Sequence, residues 1–178
     1  MIFSIVVVCL NSGDKLKATL DSVLAQTCED YEIVIKDGCS TDGSLEILEQ
    51  EPYQGNRHIR FFQEQDTGIY DAMNQAVLRT MGDYLLFLNC GDMLYNENVL
   101  MNAALFFQAD SAGVPQIYYG DTYQMKNDVL EASAPVITGF TCYRHLPCHQ
   151  SFFYTRELCV RKAYDTRYRI RADYEHLL

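Results

Sequence analysis

The sequence from Gly82 to Asp92, GDYLLFLNCGD, contains the apolar run YLLFL. An unbroken run of this kind predicts a strand that is buried on both faces of a sheet. Asp92 is therefore expected just past the carboxyl end of a central strand, where the ligands of open α/β sheets bind. A carboxylate beside a glycine at such a tip can hold a divalent cation that also contacts substrate phosphates. Asn, Gly and Asp are typical of a plain turn as well, and this stretch taken alone favours the turn.

The segments before this strand alternate between strand-like and helix-like patterns. The strand-like segments are rich in β-branched and aromatic residues, and the others carry apolar residues at helical spacing. This alternation predicts an α/β fold: a single Rossmann-like domain with a mostly parallel central sheet flanked by helices. The predicted strands lie at 4–10, 31–36 and 59–63, and the predicted helices at 16–27, 45–48 and 69–77.

The pattern changes after Asp92, where strand-like segments follow one another with fewer helices. They predict mixed or antiparallel strands that complete the sheet in the C-terminal part. Thr155 is expected to cap a short helix that runs through Lys162. Residues 172–178 read as the first turns of a helix cut short, which suggests a missing C-terminal region. The later segments are predicted as a helix at 99–108 and extended pieces at 117–121, 123–125 and 150–154.

Composition bounds the possible functions. With 178 residues, 48% of them hydrophobic, the chain is long enough for one domain with a full core. Within it we expect a nucleotide-binding half at 1–92 and an acceptor-side half at 93–178. The net charge of -10 argues against a nucleic-acid partner, and for an anionic substrate it points to a metal ion as charge mediator.

Three features bear on the compartment. No segment approaches the ~20 apolar residues of a membrane span, and the N-terminus lacks the basic region of a signal peptide. The seven cysteines are odd in number and scattered, which suits reduced thiols better than disulfides. A cytoplasmic protein is therefore expected, with any membrane contact peripheral and at the inner face of the plasma membrane.

Acid-bearing loops follow three of the predicted strands, at 11–14, 37–42 and 89–92. Because the carboxyl ends of parallel strands share one edge of a sheet, these loops are expected to meet there. Their coincidence is much harder to explain as plain turns than any one loop by itself. The sequence therefore predicts a ligand site at this edge.

Several motifs carry a resemblance to a known family: SVLAQT at 22–27, IVIKDGCSTDGS at 33–44 and NCGD at 89–92. Together with the predicted strand at 4–10 and the Asn11 that follows it, these motifs resemble the nucleotide-sugar-dependent glycosyltransferases of family 2 over essentially the whole chain. GIYDAMN at 68–74 and CHQ at 148–150 are similar to bacterial exopolysaccharide and colanic-acid-type transferases. The resemblance implies the Rossmann-like GT-A fold.

The resemblance implies a donor site in the N-terminal half. Asp37 is expected to accept a hydrogen bond from the nucleotide base, and Asp92 to ligate Mn²⁺ or Mg²⁺ that bridges the diphosphate. Gly91 stands where many relatives have Asp, which leaves one carboxylate ligand and predicts weak metal binding without nucleotide. Asn11 is explained equally well as a turn former. The residues expected to bind substrate are Asn11, Asp14, Asp37, Asp66, Asp71, Asn74 and Gly91.

The resemblance also implies two catalytic residues. Asp173 matches the Asp of the family's ED motif, although Ala172 replaces the Glu. Its implied role is the general base of a single inverting displacement, worth ~10²–10⁴-fold in rate; the alternative is an acid that stabilises a helix start. His149 is expected in the cleft, near the diphosphate or the acceptor.

Two further patterns have more than one explanation. A cysteine and histidine cluster could bind zinc, but its spacing matches no common finger, and the family interpretation of His149 is favoured. Alternating arginines would share one face of an extended segment, toward phosphate or an anionic lipid carrier, or would form a solvated edge. The cluster comprises Cys142, His145, Cys148 and His149, and the arginines are Arg167, Arg169 and Arg171.

The favoured function is an inverting glycosyltransferase that uses a nucleoside diphosphate sugar. A UDP-sugar is preferred as donor, and a saccharide or lipid-linked acceptor in cell-surface polysaccharide synthesis. One alternative is a sugar-nucleotide pyrophosphorylase, but that needs a Gly-rich, Arg-containing phosphate loop where this chain has 11–14. Another is a non-catalytic nucleotide-binding module, which Gly91 and the early chain end leave open.

Overall fold

A six-stranded sheet forms the centre of the protein in a computed structural model. The structure describes residues 1–109, 115–127, 129–133, 136, 138, 148–170 and 172–177. The strands are β1 (Phe3–Cys9), β2 (Tyr31–Asp37), β3 (Ile59–Gln63), β4 (Tyr84–Asn89), β5 (Ile117–Tyr119), β6 (Thr122–Lys126), β7 (Val129–Ser133) and β8 (Phe152–Thr155). The central sheet has the order β3-β2-β1-β4-β8-β5, and β6 and β7 form a separate ribbon.

The first four strands are parallel, and their carboxyl ends lie side by side. Cys9 pairs with Asp37, and Val8 pairs with Asn89, so β1, β2 and β4 end at the same edge. The later strand β8 runs antiparallel to both β4 and β5. The prediction of a mostly parallel α/β sheet with mixed strands in the C-terminal part is confirmed.

Helices cover both faces of this sheet. They are α1 (Lys15–Leu24), α2 (Ile69–Val77), α3 (Val99–Ala109), α4 (Arg156–Arg161) and α5 (Ala172–Leu177). Helices α1 and α3 pack on one face, and α2, α4 and α5 on the other. Every residue of β1 and β2 is buried, because both faces of these strands are covered. This explains the mostly apolar sequence of β1, whereas β2 also buries the charged residues Glu32, Lys36 and Asp37. Within the described ranges, no helix has the length and apolar character needed to cross a bilayer.

Several predicted elements differ in detail. Helix α1 ends at Leu24, and Thr27 N beyond it donates to Glu97 O (2.8 Å) instead of to a carbonyl of the helix. The Gln26 side chain donates to Asn96 O (2.7 Å) and accepts from Leu100 N (3.0 Å), which fastens the start of α3. The predicted helix at 45–48 is a 3₁₀ turn, Glu46–Glu49. Strand β7 was not predicted, since all of its residues are exposed and show no apolar alternation. Thr155 precedes α4, but its hydroxyl accepts from Gln116 N (3.1 Å) and does not cap the helix.

Candidate active site

The loop after β2 is organised around Asp37, which is fully buried. Its Oδ2 accepts hydrogen bonds from Ser40 N (2.7 Å) and Gln63 Nε2 (2.9 Å), and its Oδ1 accepts one from the Ser40 hydroxyl. A carboxylate offers about four acceptor positions, so these bonds leave one on Oδ1. Asp37 lies at the predicted edge of the sheet, with most of its hydrogen-bonding capacity used by Ser40 in its own loop and by Gln63 of β3.

Asn11 links the end of β1 to the same loop. Its backbone N–H donates to Ser40 Oγ (2.8 Å), and its Oδ1 accepts from Thr41 N (2.9 Å). Asn11 has a φ of 49°, a left-handed conformation that Asn tolerates better than most residues. Asp14 is exposed at the start of α1 and lines a separate groove of about 400 Å³ with Asp42.

A buried ion pair between Lys36 and Asp66 lies beside this loop. Asp66 Oδ1 also accepts from Gly68 N (3.0 Å), so the same carboxylate shapes the entry into α2. A Cβ at Gly38 would lie 2.7 Å from Asp66 Oδ2, and glycine therefore leaves the space that the ion pair occupies. A cleft of about 350 Å³ adjoins the pair, and its lining includes Asn11, Lys15, Asp66, Asn89 and Cys90.

The two polar residues of α2 that were expected to bind substrate have partners within the protein. Asp71 Oδ2 accepts from Thr67 N (2.8 Å) and Thr67 Oγ1 (3.0 Å), which closes the turn that begins α2. The bond from the Thr67 backbone is the main reason that the pKa of Asp71 lies below its usual value. Asn74 Nδ2 donates to Tyr164 O (2.9 Å), and Asn74 Oδ1 accepts from Tyr164 N (2.8 Å).

The turn after β4 separates two clefts. Asn89 and Cys90 line the first, while Gly91 and Asp92 line a second cleft of about 650 Å³. Asp92 N donates to Asn89 O (2.9 Å), and Asp92 Oδ2 accepts from Asn89 N (3.2 Å). Gly91 has a φ of 102°, and its N–H donates to Thr19 Oγ1 (2.8 Å). The Oδ1 atom of Asn89 is buried and has no hydrogen-bond partner among the described residues.

Asp173 and His149, the expected catalytic residues, lie next to one another. His149 Nδ1 is 3.8 Å from Asp173 Oδ2, and the Tyr70 hydroxyl donates to Asp173 Oδ1 (3.0 Å). Burial lowers the pKa of His149 and outweighs the opposing effects of Asp173 and Asp92, so the imidazole is neutral at neutral pH. Its Nε2 is buried and unpartnered within the part of the chain that the structure describes. Asp92, His149 and Asp173 are therefore close enough to interact electrostatically.

Two patterns remain, the cysteine and histidine cluster and the alternating arginines. Three of their residues lie outside the described residues, namely Cys142, His145 and Arg171. Among the residues that are described, no group of three or more His, Cys, Asp or Glu side chains is arranged to hold a metal ion. The zinc alternative stays an untested prediction. Arg167, one of the alternating arginines, pairs with Asp165 (2.6 Å) on the surface.

Comparison with known proteins identifies the family. Residues 4–165 match the family described as Glycosyl transferase family 2. The chain belongs to this family. It is 37% identical over 175 residues to the PGL/p-HBAD biosynthesis glycosyltransferase Rv2957 of Mycobacterium tuberculosis, a match that covers 97% of this chain and 67% of the relative. The resemblance stated from the motifs is thus confirmed.

Two solved structures share the fold of this family 2 member. S. aureus TarS 1-349 in complex with UDP superimposes with a TM-score of 0.72 at 23% identity, covering 99% of this chain and 54% of TarS. Mannosyltransferase PcManGT from Pyrobaculum calidifontis, in complex with GDP-Man and Mn²⁺, gives 0.66 at 16% identity, covering 92% and 47%. The chain thus spans about half the length of these solved chains. At these identities the likeness concerns the fold, which is the predicted GT-A fold.

Sequence analysis missed two residues of the site, Lys36 and Tyr70. A lysine directly after the apolar run at 33–35 was an available signal for the first, since lysine is almost never fully buried without a partner. Tyr70 and Asp173 are 103 residues apart, so no local pattern could pair them.

Proposed function

We propose that this family 2 member is an inverting glycosyltransferase that transfers a sugar from a nucleoside diphosphate sugar to a saccharide or lipid-linked acceptor. One observation carries the proposal. At the edge where β1, β2 and β4 end, the turn after β4 contributes Asn89 and Cys90 to the cleft that Asp66 lines, and Gly91 and Asp92 to the second cleft. Asp92 is also close enough to influence the pKa of His149, which lies beside Asp173. Candidate residues for binding the donor, for ligating a metal ion and for acting as the base are thus found around the turn after β4.

The donor would bind in the N-terminal half, with its nucleotide in the cleft that Asp66 lines. TarS structures hold UDP and UDP-GlcNAc, and the PcManGT structure holds GDP-Man, which supports a nucleotide-sugar donor and favours UDP without excluding GDP. Asp37 would accept from the base through its remaining acceptor position. Because Asp37 is fully buried, the loop that carries Ser40 would have to move for the base to reach this position.

The residues present fit a divalent cation of the oxygen-preferring kind. Asp92 supplies a carboxylate, and the amide oxygen of Asn89, which is unpartnered among the described residues, lies in the same turn. Mg²⁺ and Mn²⁺ are commonly bound by one or two carboxylates together with substrate phosphates and water. When bound, the ion would neutralise charge on the diphosphate leaving group. With so few protein ligands, we expect it to bind well only together with the nucleotide.

The acceptor side would be formed by residues 93–178. Asp173 would take the proton of the acceptor hydroxyl while that oxygen attacks the anomeric carbon. The bond from this carbon to the diphosphate oxygen breaks, the nucleoside diphosphate leaves, and attack from the opposite face inverts the configuration. Neutral His149 would donate Nε2–H to a diphosphate oxygen or accept from the acceptor hydroxyl, depending on its tautomer.

The mycobacterial relative is named for PGL/p-HBAD biosynthesis, which supports a role in building cell-surface glycans. The name says nothing about the acceptor of this chain. A saccharide and a lipid-linked sugar therefore both remain within the proposal, and a panel of both kinds is needed to choose between them.

Calorimetry with UDP, GDP and dTDP, with and without Mn²⁺, tests the proposal, followed by release of nucleotide from the matching sugar donors. One diphosphate should bind, and Asp37→Ala should weaken it by about 1–3 kcal/mol because a buried polar partner is lost. Asp30→Ala, at an exposed acid, is the matched control. Binding without nucleotide release would favour the non-catalytic module, and no binding of any diphosphate would overturn the proposal.

A further inference from the structure

The Asp173 carboxylate is contacted differently at its two oxygens. The Tyr70 hydroxyl donates to Oδ1 at 3.0 Å, whereas Oδ2 faces His149, whose Nδ1 is 3.8 Å away. The second distance is too long for a hydrogen bond. Oδ1 is therefore engaged by a directional bond, and Oδ2 is the oxygen on the side of the candidate catalytic histidine.

We propose that Tyr70 is a positioning residue: its hydrogen bond fixes the rotation of the Asp173 carboxylate, so that Oδ2 is the oxygen that removes the acceptor proton. This inference rests on the proposed function, in which Asp173 is the general base. A base must be held within hydrogen-bond reach of the proton that it abstracts. A carboxylate free to rotate would spend less time in that geometry.

Other contacts hold the helix that carries Asp173, and they do not involve its carboxylate. Ala172 is fully buried in the core beneath α5. His176 Nε2 hydrogen bonds to Lys162 O (2.7 Å), and the His176 ring stacks on Tyr164 at 4.2 Å between centroids. Removing the Tyr70 hydroxyl should therefore release the carboxylate while α5 stays in place.

Tyr70 is itself well fixed. Its ring lies 5.3 Å from that of Tyr164, and the turn that precedes it is closed by Asp71 and Thr67. Burial, followed by the charge of Asp173, raises the pKa of Tyr70, so its hydroxyl stays protonated and remains a donor to the carboxylate. Tyr70→Phe keeps the ring and removes this donor, together with the hydroxyl oxygen that faces the backbone N–H groups of Ala172 and Asp173.

The test uses the nucleotide sugar that the parent chain hydrolyses fastest among UDP-glucose, UDP-GlcNAc, GDP-mannose and dTDP-glucose. Tyr70→Phe should lower kcat about tenfold, the effect expected of one charge-assisted hydrogen bond, with donor KM unchanged. Asp173→Ala should lower it roughly 10²-fold or more. When Tyr70→Phe is added to Asp173→Ala, the residual rate should change less than about twofold, because the two residues act as one unit. Tyr168→Phe, at an exposed tyrosine, is the control.

The outcomes separate the two proposals. An equal tenfold loss from Tyr70→Phe in both backgrounds, or a loss confined to KM, would overturn the positioning role while leaving Asp173 as base. Full activity of Asp173→Ala would overturn the base assignment, and the inference with it. Hydrolysis of none of these donors by the parent would remove the proposed function on which the inference rests.

Discussion

Lys36 and Asp66 form an ion pair at the carboxyl end of the sheet, with Lys36 fully buried and Asp66 9% exposed at its side chain. Taking two charges out of water costs several kcal/mol per ion, so each group depends on the other for compensation. Asp66 also accepts from Gly68 N, and the pair therefore joins the end of β2 to the start of α2. The position of a carboxylate predicted to bind the donor is thus set by a lysine that faces no solvent.

Replacing Lys36 by Met should destabilise the protein strongly, because Asp66 would be left buried without its partner. We expect a loss of about 3–5 kcal/mol in the free energy of unfolding, measured by urea denaturation. Lys126→Met is the matched control, since Lys126 and Glu131 are both mostly exposed and such pairs contribute about 1 kcal/mol or less. Similar losses in the two variants would contradict the role assigned to the buried pair.

Gly38→Ala should disturb the same pair through space alone. The new Cβ would lie 2.7 Å from Asp66 Oδ2 and 3.3 Å from Leu10 Cδ1, and overpacking of this kind typically costs about 1–3 kcal/mol. Nucleoside diphosphate affinity should fall as well, because Asp66 lines the proposed donor cleft. Gly120→Ala, where the added atom meets no described residue within 4 Å, should change the urea midpoint little. An unchanged midpoint in Gly38→Ala would show that Asp66 yields easily.

Much of the fold could be predicted because the deciding strands are buried on both faces. In β1 and β4 this burial produces continuous apolar runs, and strands of this kind alternate with helices. Once parallel pairing is inferred, the loops at 11–14, 37–42 and 89–92 must share an edge. The prediction of a site at that edge therefore followed from topology and needed no knowledge of contacts.

Individual side-chain partners could not be predicted in the same way. Asp71 and Asn74 are free of the apolar stripe of α2, and the sequence does not distinguish a ligand contact from a bond to Thr67 or Tyr164. Strand β7 lies in a ribbon outside the main sheet, so no buried face marks its sequence. Burial patterns reveal elements, whereas the pairing of polar groups depends on distances that only the folded chain defines.

Asn11→Ala should loosen the loop at 37–44. The variant loses the acceptor for Thr41 N and places alanine at a φ of 49°, with a cost of about 1–2 kcal/mol. Amide hydrogen exchange within 40–44 should become faster, and diphosphate affinity should fall. Asn56→Ala removes comparable loop bonds before β3, at the opposite edge of the sheet, and should leave affinity unchanged. Unaltered exchange at Thr41 in the Asn11 variant would show that Asn11 does not hold this loop.

Asp92→Asn should abolish the increase in diphosphate affinity that Mn²⁺ gives the parent, because an amide is a poorer ligand than a carboxylate for such an ion. A nucleoside without phosphates should bind both proteins equally. Asp121→Asn is the control, since Asp121 is an exposed acid lining the same cleft. Calorimetry at matched nucleotide concentrations measures the effect. Equal Mn²⁺ enhancement in the Asp92 variant would move the metal site elsewhere.

The buried histidine His176 should make stability fall in mildly acidic solution. Its Nε2 faces the carbonyl of Lys162 at 2.7 Å, so Nε2 carries the proton and donates it. Its Nδ1 is buried with no hydrogen-bond partner in the described ranges. Burial accordingly lowers the pKa of His176 in the folded protein, and burial acts in the same direction on His149.

In the unfolded chain these histidines take up a proton near pH ~6.5, whereas the folded chain resists protonation until a lower pH. Between the two values the unfolded state binds more protons, so the free energy of unfolding rises with pH, and stability is lost as pH falls below about 6.5.

Urea denaturation at pH 7.5 and pH 5.0 measures the difference in stability. His176→Phe, which can keep the ring contact with Tyr164, should lose less stability over this interval than the parent. The loss that remains in this variant should come from protonation of His149. Burial opposes ionisation of the Glu32 carboxyl, but hydrogen bonds from Ser4 and Arg60 hold its pKa below the usual value. Carboxylates of this kind take up protons only in a more acidic range, so they do not obscure the comparison. A parent whose stability is the same at pH 7.5 and 5.0 would show that both imidazoles can be protonated in place.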